Sequence, residues 1–107
     1  MTEFISEENA KLLTQLFANL QKNVNGLRIK VIGDEEYYGA FTDIDSLLSA
    51  IDGGDEALTL EIYDNTKNYQ GFFYILPYEN LDGVIVNYTD NDVCNKSFDA
   101  LEILKWS

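Results

Sequence analysis

The sequence predicts an α+β fold, a two-layer domain in which an antiparallel sheet of about five strands carries helices on one face. Apolar residues recur at helical spacing in some segments and alternate with polar residues in others. Short turns rich in Asp, Asn and Gly join the alternating segments, which favours antiparallel pairing. The chain has 107 residues, of which 46% are hydrophobic, enough for one core. We therefore predict one domain over 1–107 with the element order α-β-β-α-β-β-β-α.

An amphipathic helix is predicted to begin at Ser6, which can cap it, and to end at Asn25-Gly26. Its apolar stripe consists of Leu13, Leu16, Phe17 and Leu20. Residues then alternate between apolar and polar over 27–32, turn at 33–35 and alternate again over 37–41. This pattern predicts a β-hairpin.

A second helix is predicted after the hairpin. Thr42 or Asp43 can cap it, and Gly53-Gly54 ends it. Its buried face consists of Ile44, Leu47, Leu48 and Ile51. Asp45, Ser49 and Asp52 fall on the opposite face.

A strand is predicted over 58–63, where apolar residues alternate with Thr59, Glu61 and Tyr63. Such alternation is typical of a sheet with one covered face. A turn at 64–66 then leads to the next strand.

The strand over 69–76 is apolar on both sides, so we expect it to be central, with a neighbour on each side. Pro77 ends it by removing a backbone donor. A turn at 81–83 leads to a last strand over 84–89, which the polar run 90–92 closes as a further turn.

The segment 97–106 fits two structures. Three apolar residues at helical spacing suit a helix capped by Ser97, whereas the alternation over 101–105 would suit a strand. We favour the helix.

Negative charge is concentrated in the middle of the chain. Residues 31–66 contain ten acidic residues and no Lys or Arg, and the formal net charge of the protein is −12. This charge repels nucleic acid and anionic membranes and attracts cationic surfaces. We therefore expect a basic protein partner, no direct contact with nucleic acid and no membrane role.

The cysteine content and the N-terminus predict a cytoplasmic location. Cys94 is the only cysteine, and the first residues lack the basic start and apolar run of a signal peptide. No intrachain disulfide can form, which suits a reducing compartment.

Residues suited to catalysis or to binding a metal are few. The chain has no histidine, the commonest general base and metal ligand. Cys94 lies beside Asp90 and Asp92, whose charge disfavours a thiolate nucleophile. The run 90–92 lacks the glycine and further oxygen donors of a calcium loop. We expect no enzyme activity, no cofactor and no dedicated metal site. A small hydrolase or metal-dependent enzyme is the competing class.

Tyrosines interspersed with the acids are expected at an interface, because Tyr offers a rigid apolar face and a polar tip. They are Tyr37, Tyr38, Tyr63, Tyr69, Tyr74, Tyr78 and Tyr88. Alternatively, they only complete the sheet while the acids keep the protein soluble. The predicted partner-binding residues are Asp34, Glu35, Glu36, Asp45, Asp52, Asp55, Glu56, Glu61, Tyr63 and Asp64.

In its size, charge, lack of catalytic motifs and compact α+β pattern, the chain resembles the small acidic immunity proteins of bacterial toxin systems, such as those of contact-dependent growth inhibition. The resemblance implies a cytoplasmic inhibitor that binds a cationic toxin, such as a nuclease domain, and blocks its nucleic-acid site. Carboxylates can bind to the Arg and Lys side chains that otherwise bind phosphates. The alternatives are a DNA-mimic antagonist of host defence, such as an anti-restriction or anti-CRISPR protein, and an adaptor without inhibitory activity.

Overall fold

The protein has the predicted α+β architecture, a five-stranded antiparallel sheet with helices on one face. The computed structural model describes residues 5–52 and 57–105. The helices are α1 (Glu7–Asn23), α2 (Ile44–Asp52), α3 (Asp92–Asp99) and α4 (Glu102–Lys105). The strands are β1 (Arg28–Ile32), β2 (Tyr37–Phe41), β3 (Leu58–Tyr63), β4 (Tyr69–Ile75) and β5 (Ile85–Tyr88), and a 3-10 helix (Leu81–Gly83) precedes β5.

The strand order in the sheet is β2-β1-β3-β4-β5, and every neighbouring pair is antiparallel. Three of the pairs join strands that are consecutive in the chain, whereas β1 and β3 are separated by β2 and α2. The strand predicted to be central, β4, has the expected neighbour on each side, and β3 occupies the middle of the sheet. The segment containing α2 therefore connects an edge strand to the central strand.

The hydrophobic core lies between the helices and one face of the sheet. Leu58, Leu60 and Ile62 of β3 are buried and the residues between them are partly exposed, which confirms the predicted alternation. Each fully buried side chain of this kind stabilises the fold by roughly 1.5–3 kcal/mol. The helices contribute Leu12, Leu13, Leu16, Phe17, Leu20, Leu47, Ile51 and Cys94 to the same core.

Both ends of α1 follow from local sequence. The Ser6 hydroxyl accepts a hydrogen bond from the Asn9 backbone N–H at 3.1 Å, as predicted for an N-cap. After the helix, Gly26 has φ +62°, and a Cβ there would collide with the Asn65 side chain. Only glycine fits this close approach. The Asn65 backbone N–H donates to the Asn25 carbonyl at 3.0 Å and so joins this loop to the β3–β4 turn.

The N-terminus of α2 is capped by one of the two predicted residues. The Asp43 carboxylate accepts a hydrogen bond from the Ser46 backbone N–H at 2.9 Å. The predicted stop, Gly53-Gly54, lies outside the described residues.

The C-terminal segment is helical, as favoured, but its predicted start is wrong. The helix begins at Asp92, and Ser97 lies fully buried inside it. The Asn91 side chain is the N-cap and accepts a hydrogen bond from the Cys94 backbone N–H at 2.8 Å. The polar run interpreted as a turn thus begins a helix. Asn and Asp favour both turns and N-caps, because their side chains bond to the nearby backbone.

The single predicted helix is also divided, because α3 ends before Leu101 and α4 follows. Leu101 is buried in the core, and its backbone N–H donates to the Phe98 carbonyl at 3.1 Å. The Ile103 backbone N–H donates to the Gln15 side chain of α1 at 3.1 Å. A residue distant in sequence thus accepts the hydrogen bond of a backbone N–H at the start of α4. Trp106, the predicted end of this segment, lies outside the described residues.

We predict that Asn91→Ala lowers the free energy of unfolding by roughly 1–2 kcal/mol, because it removes the α3 cap. It also removes the hydrogen bond that the Asn91 amide donates to the Gln70 carbonyl at 2.8 Å. Asn91→Asp keeps the capping oxygen and should retain more stability. Urea denaturation of the two variants and the wild type measures both effects. Wild-type stability in Asn91→Ala would contradict a helix that begins at Asp92.

Candidate interaction surface

The β1–β2 turn presents three of the predicted partner-binding acids at one end of the sheet. Asp34, Glu35 and Glu36 are all exposed. The Gly33 backbone N–H donates to the Glu36 carbonyl at 2.7 Å and closes the turn. Tyr37 follows directly, with 62% of its surface exposed. Carboxylates held on a closed turn can attract a cationic partner with little loss of backbone entropy.

The acids of α2 belong to the helical layer. Asp45 is exposed near the start of the helix. Asp52 is half-buried, and its carboxylate accepts a hydrogen bond from the Ile5 backbone N–H. This contact ties the residue before α1 to the end of α2, so Asp52 has a structural role. Asp55 and Glu56 lie outside the described residues.

Glu61 and Tyr63 lie on the outer side of β3 and contact each other. The Tyr63 hydroxyl donates to Glu61 Oε1 at 2.9 Å. This hydrogen bond is the main cause that raises the pKa of Tyr63, and partial burial and the Glu61 charge add to it. The Lys30 ammonium lies 4.7 Å from the centre of the Tyr63 ring, within the range of a cation–π contact.

Two bases lie beside these residues. In the β1–β3 ladder, Arg28 is opposite Tyr63 and Lys30 is opposite Glu61. This part of the surface is therefore of mixed charge, although Glu61 lies in a stretch of sequence without any base. Alternation over 27–32 places both bases on one side of β1, but it does not reveal that β3 is the neighbour.

Asp64 organises the β3–β4 turn. Its carboxylate accepts hydrogen bonds from the Thr66 hydroxyl at 2.6 Å, the Thr66 backbone N–H at 2.8 Å and the Asn68 backbone N–H at 3.0 Å. The bonds from the Thr66 hydroxyl and the Asn68 backbone lower the pKa of Asp64. The Gln70 side chain donates a weaker bond at 3.2 Å. The Asp64 carboxylate therefore has a structural role in the turn, which accounts for an acid at this position without a partner protein.

The structure does not bring the predicted partner-binding residues together. Asp34–Glu36 lie at one end of the sheet and Asp64 at the other, because β1 and β3 run antiparallel over their whole length. Asp45 and Asp52 lie in the helical layer, whereas Glu61 and Tyr63 lie on the other side of the sheet. The prediction therefore combines several separate parts of the surface.

The outer side of the sheet, which we call the open face, was not recognised from the sequence as one aromatic surface. Strand pairing aligns its side chains in three rows. The first row is Tyr37, Ile32, Thr59, Tyr74 and Asn87. The second is Ala40, Lys30, Glu61 and Phe72, and the third is Arg28, Tyr63 and Tyr69. The available signal was that β4 is apolar on both sides in the sequence, so that Phe72 and Tyr74 lie on the side opposite Phe73.

The other predicted interface tyrosines have different positions. Tyr88 stacks between Phe73 and Phe98, with ring centres 5.2 Å and 4.8 Å away. Tyr38 packs against the core. The Tyr78 hydroxyl donates to a carbonyl at the end of α2 at 2.8 Å. For these three residues, the interpretation that tyrosines complete the fold describes the structure better.

A surface depression of about 380 Å³ lies between the start of α1 and the loop after β4. Asn9 lines it, but its amide already donates to the Pro77 and Glu79 carbonyls, both at 2.8 Å. Within residues 5–52 and 57–105, no group of three or more Cys, Asp or Glu side chains is placed to share a metal ion. The Asn9 side chain in this depression therefore holds the loop after β4 against α1 and is not available to a ligand.

Cys94 lies in the core, where no solvent reaches its side chain. Its Sγ is 3.8 Å from the Gln70 carbonyl, and a Cβ on Gly71 would approach the sulfur to 2.8 Å. Burial raises the pKa of the thiol to about 11. The thiol is therefore protonated and packed at neutral pH, which is unsuited to nucleophilic attack.

No protein-family model, curated protein or solved structure shows a significant match to the chain. None of the described helices is long and apolar enough to cross a membrane.

We predict that the stability contributed by Cys94 falls above pH 9. The unfolded thiol releases its proton near its ordinary pKa of 9.0, whereas the folded one keeps it to about 11. The free energy of unfolding should then fall by about 1 kcal/mol per pH unit near the middle of this window because of this group.

Urea denaturation of the reduced protein from neutral to alkaline pH, compared with Cys94→Ala, isolates this effect. The variant keeps the titrating Tyr and Lys residues. The stability difference between the two proteins should therefore narrow as the pH rises. A constant difference would show that the thiol titrates alike in the folded and unfolded chains.

Proposed function

We propose that the protein is a small acidic inhibitor, without catalytic activity, that binds a basic protein partner in the cytoplasm. The observation that carries this proposal is the exposed acidic turn Asp34–Glu36, which closes on itself at the end of the sheet. A toxin-neutralising immunity protein is the class that we favour, and the basic nucleic-acid site of a nuclease toxin is the surface it would cover.

The distribution of charge supports this proposal. Each acidic residue that the structure describes is exposed or half-buried, so these carboxylates create a negative electrostatic potential at the protein surface. Such a field steers a cationic partner to the surface and raises the association rate. The target of a nuclease inhibitor carries Arg and Lys side chains that bind phosphate, and carboxylates can form charge-assisted hydrogen bonds with them.

We predict that the double substitution Glu35→Lys and Glu36→Lys slows association with the partner. The on-rate should fall about tenfold at low ionic strength and less at high salt, because steering charges act on encounter. The dissociation rate should change little. The matched control is Glu7→Lys with Glu8→Lys, which makes the same change of net charge in the first turn of α1.

The measurement is surface plasmon resonance at two salt concentrations, with the partner first isolated by capture on the full chain from the source cell. Equal slowing by both pairs would show that only net charge matters and that the turn has no special role. A partner without a basic surface would overturn the proposed function.

A further inference from the structure

The open face carries large side chains with no helix over them in the described part of the chain. All four helices pack on the opposite side of the sheet. On the open face, Tyr37 is 62% exposed and Tyr69 is 53% exposed. Phe72 and Tyr74 extend the aromatic surface along β4 and are half-buried by their neighbours. Exposed aromatic clusters of this kind are typical of binding surfaces.

The centre of this face already holds a cation. The Lys30 ammonium lies over the Tyr63 ring at 4.7 Å, and the same ring carries a hydroxyl bonded to Glu61. Tyr69 meets the Tyr63 ring edge-on at a centre distance of 5.6 Å, and its own ring is more exposed. The Tyr63 ring and the Glu61 carboxylate are thus engaged within the chain. By contrast, the more exposed rings of Tyr69 and Tyr37 can take an ammonium or guanidinium group from outside.

Acids lie at both ends of the face. The turn Asp34–Glu36 adjoins the row that contains Tyr37, and Asp64 follows Tyr63 at the opposite end. An aromatic centre with a charged rim is the usual arrangement of a protein interface, in which the centre contributes affinity and the rim selects the partner. The rim is negative at the Asp34–Glu36 end, which favours a basic surface, whereas the Asp64 carboxylate is held in its own turn and Arg28 lies at the same end of the sheet.

We propose that the open face is the docking surface for a basic protein segment in which arginines alternate with apolar side chains. The proposal rests on the proposed function and adds the location and chemistry of the contact. The apolar side chains pack on Phe72 and Tyr74, and the guanidinium groups stack on Tyr69 and Tyr37. The acidic turn then guides the encounter, while the aromatic side chains determine how long the complex lasts.

The charge of the chain decides against a second copy as the occupant. Two chains with a net charge of −12 each repel one another, and pairing of their open faces would bring their acidic rims close. Single-stranded nucleic acid also stacks on exposed aromatic side chains of sheets, and Arg28 and Lys30 lie on this face. The same net charge opposes a polyanion, so a basic segment fits better.

The experiment is an NMR titration of the isotope-labelled full chain with three probes. Two synthetic peptides contain equal numbers of arginines, which alternate with leucine in one and with glycine in the other. The third probe is an oligouridine. We expect the arginine–leucine peptide to bind with a Kd about tenfold lower than the arginine–glycine peptide. The chemical-shift changes that this peptide causes in the labelled protein should map to β3 and β4 of the open face.

Tyr69→Ala should raise the Kd of the arginine–leucine peptide about fivefold, whereas Tyr78→Ala should change it less than about twofold. The control is matched because Tyr78 is also an exposed tyrosine, 38% accessible, but it lies in the loop after β4 and its hydroxyl contacts the end of α2. The amide spectrum of each variant reports whether it is folded. An equal loss in the two variants would overturn the docking surface.

The remaining outcomes separate this inference from the proposed function. Equal affinity for both peptides, with shifts confined to the turn Asp34–Glu36, would overturn the docking surface and leave the proposed function standing. Absence of binding by both peptides would overturn the docking surface alone, since the proposed function is tested with the partner protein itself. Oligouridine binding that Tyr69→Ala abolishes would overturn both, because the face would then be a nucleic-acid platform.

Discussion

The pairing of β1 with β3 is the contact on which the rest of the structure depends. It joins the β1–β2 hairpin to the meander of β3, β4 and β5, which otherwise share no strand pair. On the inner side it places Ile29 opposite Ile62 and Val31 opposite Leu60, all buried. An isolated hairpin is only marginally stable in water, so this contact lets both parts share one hydrophobic core.

The same pairing marks the limit of what could be predicted from the sequence, which indicates the face of each side chain but not which strands are neighbours. Alternation in the chain predicts which side chains share a face, as it does for Leu58 and Glu61, because the strand period is strictly two. Ser6 and Asp43 are recognisable caps, because each bonds to a backbone N–H three residues ahead. The arrangement of β1 beside β3 depends on contacts distant in sequence, which periodicity does not encode.

The structural features that the sequence analysis missed have similar causes. The start of α3 was missed because Asn91 favours a turn and a helix cap for the same physical reason. The cap that Gln15 supplies to Ile103 joins residues 88 positions apart in the sequence and has no local signature. For the candidate site, residue type indicated a surface of acids and tyrosines, whereas strand order decided that Arg28 and Lys30 lie within it.

The acidic residues also differ in what they do, although they look alike in the sequence. Asp43 caps α2, Asp52 holds the backbone before α1, and Asp64 holds a turn. Glu35 and Glu36 extend from an exposed turn, where charge can act outward. A count of acids therefore overestimates the part of the surface that is available for recognition.

A sheet covered on one side only separates the residues that fold the protein from those that face outward. Phe73 and Ile75 are fully enclosed, whereas Phe72 and Tyr74, their immediate neighbours in β4, point the other way. Replacement of an enclosed residue leaves a cavity, while replacement of an outward one is far less costly to the fold. Selection can therefore alter every second residue of a strand while it conserves the residues between them. A protein built in this way can change the chemistry of its open face through single substitutions, with its scaffold unchanged.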